Sequence, residues 1–204
     1  MKDYPSIAGE YIYDIPLYAF DKLDGSNIRA EWSAKRGFYK FGSRTQLLDR
    51  NSGYLNEAPQ IVLDTYGDHL GNVFRAQKYE SAVAFFEFYG PNSLAGSHTA
   101  EPHRVTLFDV SPYKKGILPP RVFLDLFGHL DIPNIVFEGF LTEDLVQGVR
   151  EGTLPGITCE GVVCKGRADR KTEVPVMFKI KTHAWLDKLR AHCGDNKTLF
   201  EMLK

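Results

Sequence analysis

Residues 20–27 read FDKLDGSN: Phe20, Asp21, Lys22, Leu23, Asp24, Gly25, Ser26, Asn27. The run before them, YIYDIPLYAF (11–20), is apolar and aromatic enough for a strand, and IRAEW (28–32) behind them is strand-like as well. Local chemistry predicts a hairpin, because Asp-Gly between two strand-like runs is a strong turn signal. A turn does not require a lysine flanked by two aspartates. The sharper reading is a positioned nucleophile, and it needs support from elsewhere in the chain.

The rest of the chain sets the bounds. Its 204 residues are 43% hydrophobic and 13% aromatic, with a formal net charge of −1. Such a chain fits one large globular domain or two small ones. With so little net charge, a nucleic-acid partner has to be held by a local basic patch. Cys159, Cys164 and Cys193 form no CxxC pair and leave one over, which argues against a disulfide framework or a zinc site and for a reducing cytoplasm. The start, MKDYPSIAGEYIYDIPL, lacks the basic-then-apolar order of a signal peptide, and no run approaches the ~18 apolar residues of a membrane span. A cytoplasmic protein with no membrane partner is expected.

Strand-like runs fall at Tyr11–Phe20, Ile28–Trp32, Phe38–Phe41, Ala82–Tyr89, Val105–Val110, Ile135–Phe140, Gly161–Lys165 and Val174–Lys181. Helical spacing appears from Asn56 to about Lys78, as two helices broken near Gly67–Gly71, over Arg121–Leu130, behind an N-cap at Thr142, and from Ala184 to Leu203 with a break at Gly194–Asp195. Strands outnumber helices without alternating regularly with them, which predicts an α+β fold with mainly antiparallel sheets flanked by helices. GxGxxG and GxxxxGK[ST] are absent, so a nucleotide phosphate would have to be bound by side chains.

Four further stretches put charge where a packed sheet does not want it. FFEFYG (85–90) sets Glu87 among aromatics, LFDV (107–110) sets Asp109 beside Phe108, CEGVVCKG (159–166) opens with Glu160, and FKIKTHAW (178–185) spaces Lys179 and Lys181 two apart, on one face of a strand. Each alone reads as a solvated position. Together they bring carboxylates and lysines in the proportions that nucleotide chemistry uses.

The order KLDGSN, SRT (43–45), FFEFYG, LFDV, CEGVV and KIK resembles the covalent nucleotidyltransferase superfamily of ATP-dependent DNA and RNA ligases and mRNA capping enzymes. The KxDGSN form is most similar to RNA ligases, particularly those that seal nicks in duplex RNA. The resemblance implies that Lys22 attacks the α-phosphate of ATP to give lysyl-AMP, with Lys179 and Lys181 neutralising phosphate charge. A free lysine, with a pKa of about 10.4, is neutral in roughly one molecule in a thousand near pH 7. Burial and neighbouring cations are expected to favour the neutral amine. By the same resemblance Glu160 contacts a divalent metal, Mg²⁺ or Mn²⁺, and Glu87 contacts the ribose. Phe108 stacks on the adenine with Asp109 in support, Asp21 lies near the base, Arg44 meets the nucleotide or the RNA end, and Asn27 serves the later chemistry. The partner implied is RNA with 3′-OH and 5′-phosphate ends.

Relatives carry a clamp module after KIK, whereas residues 182–204 allow one or two short helices. The expectation is therefore a single nucleotidyltransferase domain over 1–204 without an OB-fold, gripping RNA through Lys35, Arg36, Arg44, Lys165, Arg167 and Lys171, or with a partner protein that supplies a clamp. SHTAEPHR (97–104) is expected to be a surface loop. A DNA ligase, a capping-type enzyme and a non-catalytic nucleotide or RNA-binding module stay open as alternatives.

Overall fold

The computed structural model describes residues 1–7, 10–94, 98–166 and 175–204. Eight strands form two four-stranded sheets in which every described pairing is antiparallel. The first sheet runs β6 (Ile135–Phe140), β1 (Pro16–Asp21), β7 (Gly161–Gly166), β8 (Val176–Lys181). The second runs β3 (Gly37–Ser43), β2 (Ser26–Ser33), β4 (Ser81–Tyr89), β5 (Arg104–Pro112). Five helices accompany them: α1 (Ala58–Ala76), α2 (Pro120–Phe127), α3 (Glu143–Glu151), α4 (His183–Cys193) and α5 (Lys197–Leu203), with a 3₁₀ turn over Gly53–Glu57. This is the expected α+β architecture. Among the described residues, no helix is long and apolar enough to cross a membrane.

Each sheet has its own core. In the second sheet, Ile28, Ala30 and Trp32 of β2 and Phe86 and Phe88 of β4 turn the same way, as a period of two requires. They pack under Val62, Tyr66, Leu70 and Phe74 of α1 and Phe123 and Phe127 of α2. Those four α1 residues recur every four positions and make one unbroken apolar stripe. That stripe explains why α1 does not divide at its glycines, as the sequence alone suggests. Gly71 is buried in it, and a Cβ there would meet the Trp32 Nε1 at 3.6 Å and Arg75 Nη1 at 3.3 Å. In the first sheet, Leu17, Ala19, Val162, Cys164, Phe178 and Ile180 pack with Leu145, Val146 and Val149 of α3. Thr142 caps α3 as expected, accepting from the Leu145 amide at 3.2 Å.

FDKLDGSN is not a hairpin. β1 ends at Asp21 in the first sheet and β2 begins at Ser26 in the second, so residues 22–25 carry the chain from one sheet to the other. The Lys22 amide donates to Gly161 O at 2.9 Å and fixes the exit from β1. Gly25 permits close approach, since a Cβ there would lie 2.3 Å from Phe88 O. The Asp-Gly signal is local, whereas the choice of sheet is made by packing.

Candidate active site

Nine of the ten residues given nucleotide roles in the sequence line one cavity of about 910 Å³: Asp21, Lys22, Asn27, Arg44, Glu87, Phe108, Glu160, Lys179 and Lys181. Asp109 lies behind Phe108, held by Lys165 and Tyr4. That size suits a nucleotide-sized ligand. Residues of both sheets form its walls, and the inter-sheet segment 22–25 crosses it.

The charged wall belongs to the first sheet. Glu160 sits just ahead of β7, and Gly161 follows it at φ 136°, where a Cβ would lie 2.1 Å from Ile180 O. Only glycine fits there, which is why Glu160 is followed by one. The Glu160 carboxylate is buried and bridges two lysines: Lys22 Nζ donates to Oε2 at 2.8 Å, and Lys181 Nζ lies 2.7 Å from Oε1. Lys181 pairs with Gly161 and Lys179 with Val163, so both side chains share the face predicted from their spacing.

Protonation departs from expectation. Burial by itself would lower the Lys22 pKa, but the negative charge around it, Glu160 foremost, outweighs that and holds the pKa above that of a free lysine. Without substrate, Lys22 is therefore an ammonium ion. The depressed groups are the other two lysines. Burial and the charge of Lys22 push Lys179 down, and burial brings Lys181 to about 8 against the pull of Glu160.

The second sheet supplies the opposite wall. Phe86 and Phe88 turn into the core, leaving Glu87 in the cavity opposite Asn27 of β2. Burial pushes Glu87 up to about 8, although Lys22 opposes the shift. Phe108 reaches the cavity because β5 has an irregularity there: Phe85 pairs with Asp109 and Phe86 with Leu107, leaving Phe108 without a register partner. Asn27 Oδ1 and Asp21 Oδ2 are buried without a partner, and Asp21 Oδ1 accepts from the Thr158 amide at 3.0 Å. Burial raises the Asp21 pKa, with the Thr158 bonds opposing. Arg44 is exposed at the cavity edge.

Two surface assignments change. Lys165 is not an exposed RNA contact, because it is 4% exposed and its Nζ donates to Asp109 Oδ2 and to Phe108 O, both at 2.8 Å. It holds up the Phe108 bulge instead. Arg167 and Lys171 lie outside the described residues; Lys35 and Arg36 are exposed on the β2–β3 turn. Nor does the SHTAEPHR stretch stay wholly on the surface. His98 is buried against Tyr89, with ring centroids 4.7 Å apart, and shares one hydrogen bond with Glu101 at 3.0 Å. Among the described residues, no group of three or more His, Cys, Asp or Glu could hold a metal by itself.

Two site residues escaped the sequence reading. Tyr4 lines the cavity, donates to Asp109 Oδ2 at 2.5 Å and meets Phe108 edge-on at 5.0 Å. Trp185 lines it too, with Nε1 donating to Asp24 Oδ1 at 3.0 Å. The only trace of Trp185 is its place in FKIKTHAW, one turn beyond Lys181, where an aromatic reads as helix core.

Two antiparallel sheets thus enclose one cavity, with lysines on one wall and aromatic and acidic residues on the other. No protein-family model matches the sequence, and no curated protein matches it. Solved structures do: the Naegleria gruberi RNA ligase with PPi is similar over 86% of this chain and 52% of the ligase chain, at TM-score 0.65 and 15% identity. A mutant of that ligase with ATP and Mn matches over 86% and 52%, at 0.64 and 16% identity, and another with AMP and Mn over 91% and 59%, at 0.65 and 14% identity. The fold of this chain is thus the RNA ligase nucleotidyltransferase fold. The chain spans 52–59% of the length of those ligase chains.

Proposed function

We propose that this chain carries out the nucleotidyl-transfer chemistry of an ATP-dependent RNA ligase. The observation that carries the reading is the Glu160 carboxylate bridging Lys22 and Lys181 inside a nucleotide-sized cavity. The Lys22 ammonium first gives up its proton to solvent, and the free amine attacks the α-phosphorus of ATP. A P–N bond forms, the α–β phosphoanhydride bond breaks and pyrophosphate leaves with the electron pair. Lys179 and Lys181 stand where negative charge builds on the phosphates. Phe108 offers a face for the base, and Glu87 and Asn27 offer polar atoms to the sugar. Transfer of AMP to an RNA 5′-phosphate and attack by a 3′-OH complete the joining.

Glu160 is the residue that would hold Mg²⁺ or Mn²⁺. A single hard carboxylate, with phosphate oxygens and waters completing the shell, fits a metal that arrives with ATP better than a resident one. When bound, it supplies further neutralisation of phosphate charge. In the resting ion pairs Glu160 also keeps two ammonium groups together in one small space until the nucleotide enters.

Three free thiols suit a reducing cytoplasm as the place of action. Grip on RNA falls to exposed basic residues such as Lys35, Arg36 and Arg44, with a partner protein as a further source.

The test is a joining assay on nicked duplexes, with ATP or GTP and with ribose or deoxyribose at the 3′-OH side. The reading expects ATP-dependent sealing that favours ribonucleotides, because the 2′-OH distinguishes the strands. GTP-dependent transfer without joining, or equal sealing of all-DNA nicks, overturns it.

A further inference from the structure

Trp185 stands between the two halves of the lysine machinery. Its ring is 4% exposed, and Lys181 Nζ lies over the face at 3.6 Å from the centroid. The edge of the same ring donates from Nε1 to Asp24 Oδ1, within the segment that carries Lys22. Its backbone amide donates to Thr182 Oγ1 at 3.1 Å, the cap of α4. Thr182 in turn donates from its hydroxyl to Cys159 O at 2.8 Å and from its amide to Glu160 O at 3.0 Å. One indole thus joins the Lys22 segment, the Lys181 strand and the approach to Glu160.

An indole is suited to this dual role. Its face is electron-rich and attracts an ammonium ion, and its N–H edge is a donor for a carboxylate. The face and the N–H edge lie at right angles, so one ring serves both partners at once. The contact matters most when the site fills. Glu160 holds both lysines in the free chain, but phosphate and metal compete for all three groups, and the carboxylate cannot serve them at once. The ring face of Trp185 is not given up in that exchange. Lys181 therefore keeps one fixed partner, and the Asp24 bond keeps the Lys22 segment in register with it.

We propose that Trp185 is a positioning residue: it ties Lys181 to the Lys22 segment and keeps the ammonium aimed at the phosphates when Glu160 releases it. The proposal rests on the ligase reading above. The competing view is that Trp185 merely fills the small core it shares with Leu189 and Cys193.

Two substitutions separate the views. Trp185→Phe keeps a ring face and loses the N–H; Trp185→Leu fills part of the space and loses both. Single-turnover AMP transfer is measured across ATP concentrations, beside thermal melting. Misplacing a charge by about 1 Å can cost on the order of 10²-fold, so Trp185→Leu should lower the maximal rate between ~10-fold and ~100-fold. The half-saturating ATP concentration should stay within about threefold, since the base and sugar contacts are untouched. Trp185→Phe, which keeps the ring face but loses the Asp24 bond, should fall between the wild type and Trp185→Leu, and adding Asp24→Asn to it should cost no more than either change alone.

A second readout needs no ATP. The ε-methylene protons of Lys181 lie against an aromatic face, so their NMR signals should be shifted upfield in the wild type and in Trp185→Phe, and return in Trp185→Leu. A Trp185→Leu protein with the wild-type rate overturns the proposal. So do equal losses in Phe and Leu variants that follow the loss in melting temperature, or Lys181 signals without a ring shift. A wild-type chain that takes up no AMP but shows the ring shift overturns the ligase reading and, with it, the catalytic value of the contact, while the contact itself stands.

Discussion

The two sheets share a topology class but differ in what they do. The second sheet keeps its back against α1 and α2, with Trp32, Tyr66, Phe74, Phe86, Phe88, Phe123 and Phe127 all buried, and turns a sparse face of Glu87, Asn27 and Phe108 to the cavity. Behind the first sheet lies a smaller core of mostly aliphatic residues, and its cavity side carries Lys22, Lys179, Lys181 and Glu160. A large aromatic core thus backs the wall that carries Glu87, Asn27 and Phe108. Clustered charges at the cavity cost burial energy that only partners offset. The larger core and the charged cluster thus lie on different sheets, with the segment 22–25 joining them.

The sharpest way to break that division is to damage each side in turn. Lys22→Ala should abolish covalent AMP uptake at a much smaller loss of stability than a core truncation, because Glu160 keeps its second partner, Lys181. Lys22→Arg should fail as well, since a guanidinium stays protonated and cannot attack. Phe86→Ala should do the reverse, costing about 3–5 kcal/mol of stability, with AMP uptake per folded molecule retained. Melting curves and mass spectra on the same samples decide it. If Lys22→Ala proves as destabilising as Phe86→Ala, the division is wrong.

A smaller effect concerns charge on the first sheet. Lys181 has its pKa lowered to about 8, so it is a cation below that pH and loses its charge as pH rises through it. AMP transfer should therefore fall on the alkaline side of about 8 even as Lys22 becomes easier to deprotonate. Lys181→Arg should move that falling limb to higher pH, at a reduced maximal rate. A pH–rate profile of single-turnover transfer measures both; an unmoved limb would show that another group sets it.

The smallest effect lies on the second sheet's wall of the cavity. Glu87 is raised from the ordinary carboxylate range to about 8. The folded state thus binds a proton that the unfolded state has already released between about pH 4.5 and 8, and stability falls as pH rises through that window. Glu87→Gln removes the titration. It should stabilise the chain near pH 8, where burial disfavours the charged form, and change it by almost nothing near pH 4.5. Melting temperatures at the two pH values provide the comparison, and a pH-independent difference would count against it.

Much of this was legible in the sequence, and the gaps have physical causes. Most of the strand-like runs lie within a few residues of their strands, since Val, Ile, Phe and Tyr with period-two alternation report a half-buried face. The run Tyr11–Phe20 starts late, at Pro16, because Tyr11 and Ile12 pack beside the core without joining the ladder. The gathering of nine residues into one cavity followed from the order of their motifs. What could not be read were relations across long separations. The Lys22–Glu160 bond spans 138 positions, and it decides that Lys22 rests protonated where local reasoning expected a neutral amine. Lys165 lies in a basic run and reads as solvated until Asp109, Phe108 and the Phe20 ring are found around it. Trp185 and Tyr4 carry no motif.

The central claim is that Lys22 is a nucleophile held in reserve by Glu160. Intact-mass analysis of the chain after incubation with ATP and Mg²⁺, followed by peptide mapping of the adduct, tests it most directly. The account predicts the addition of one AMP through an acid-labile, alkali-stable bond on Lys22. No covalent adduct, or an adduct mapped to any other residue, would contradict it.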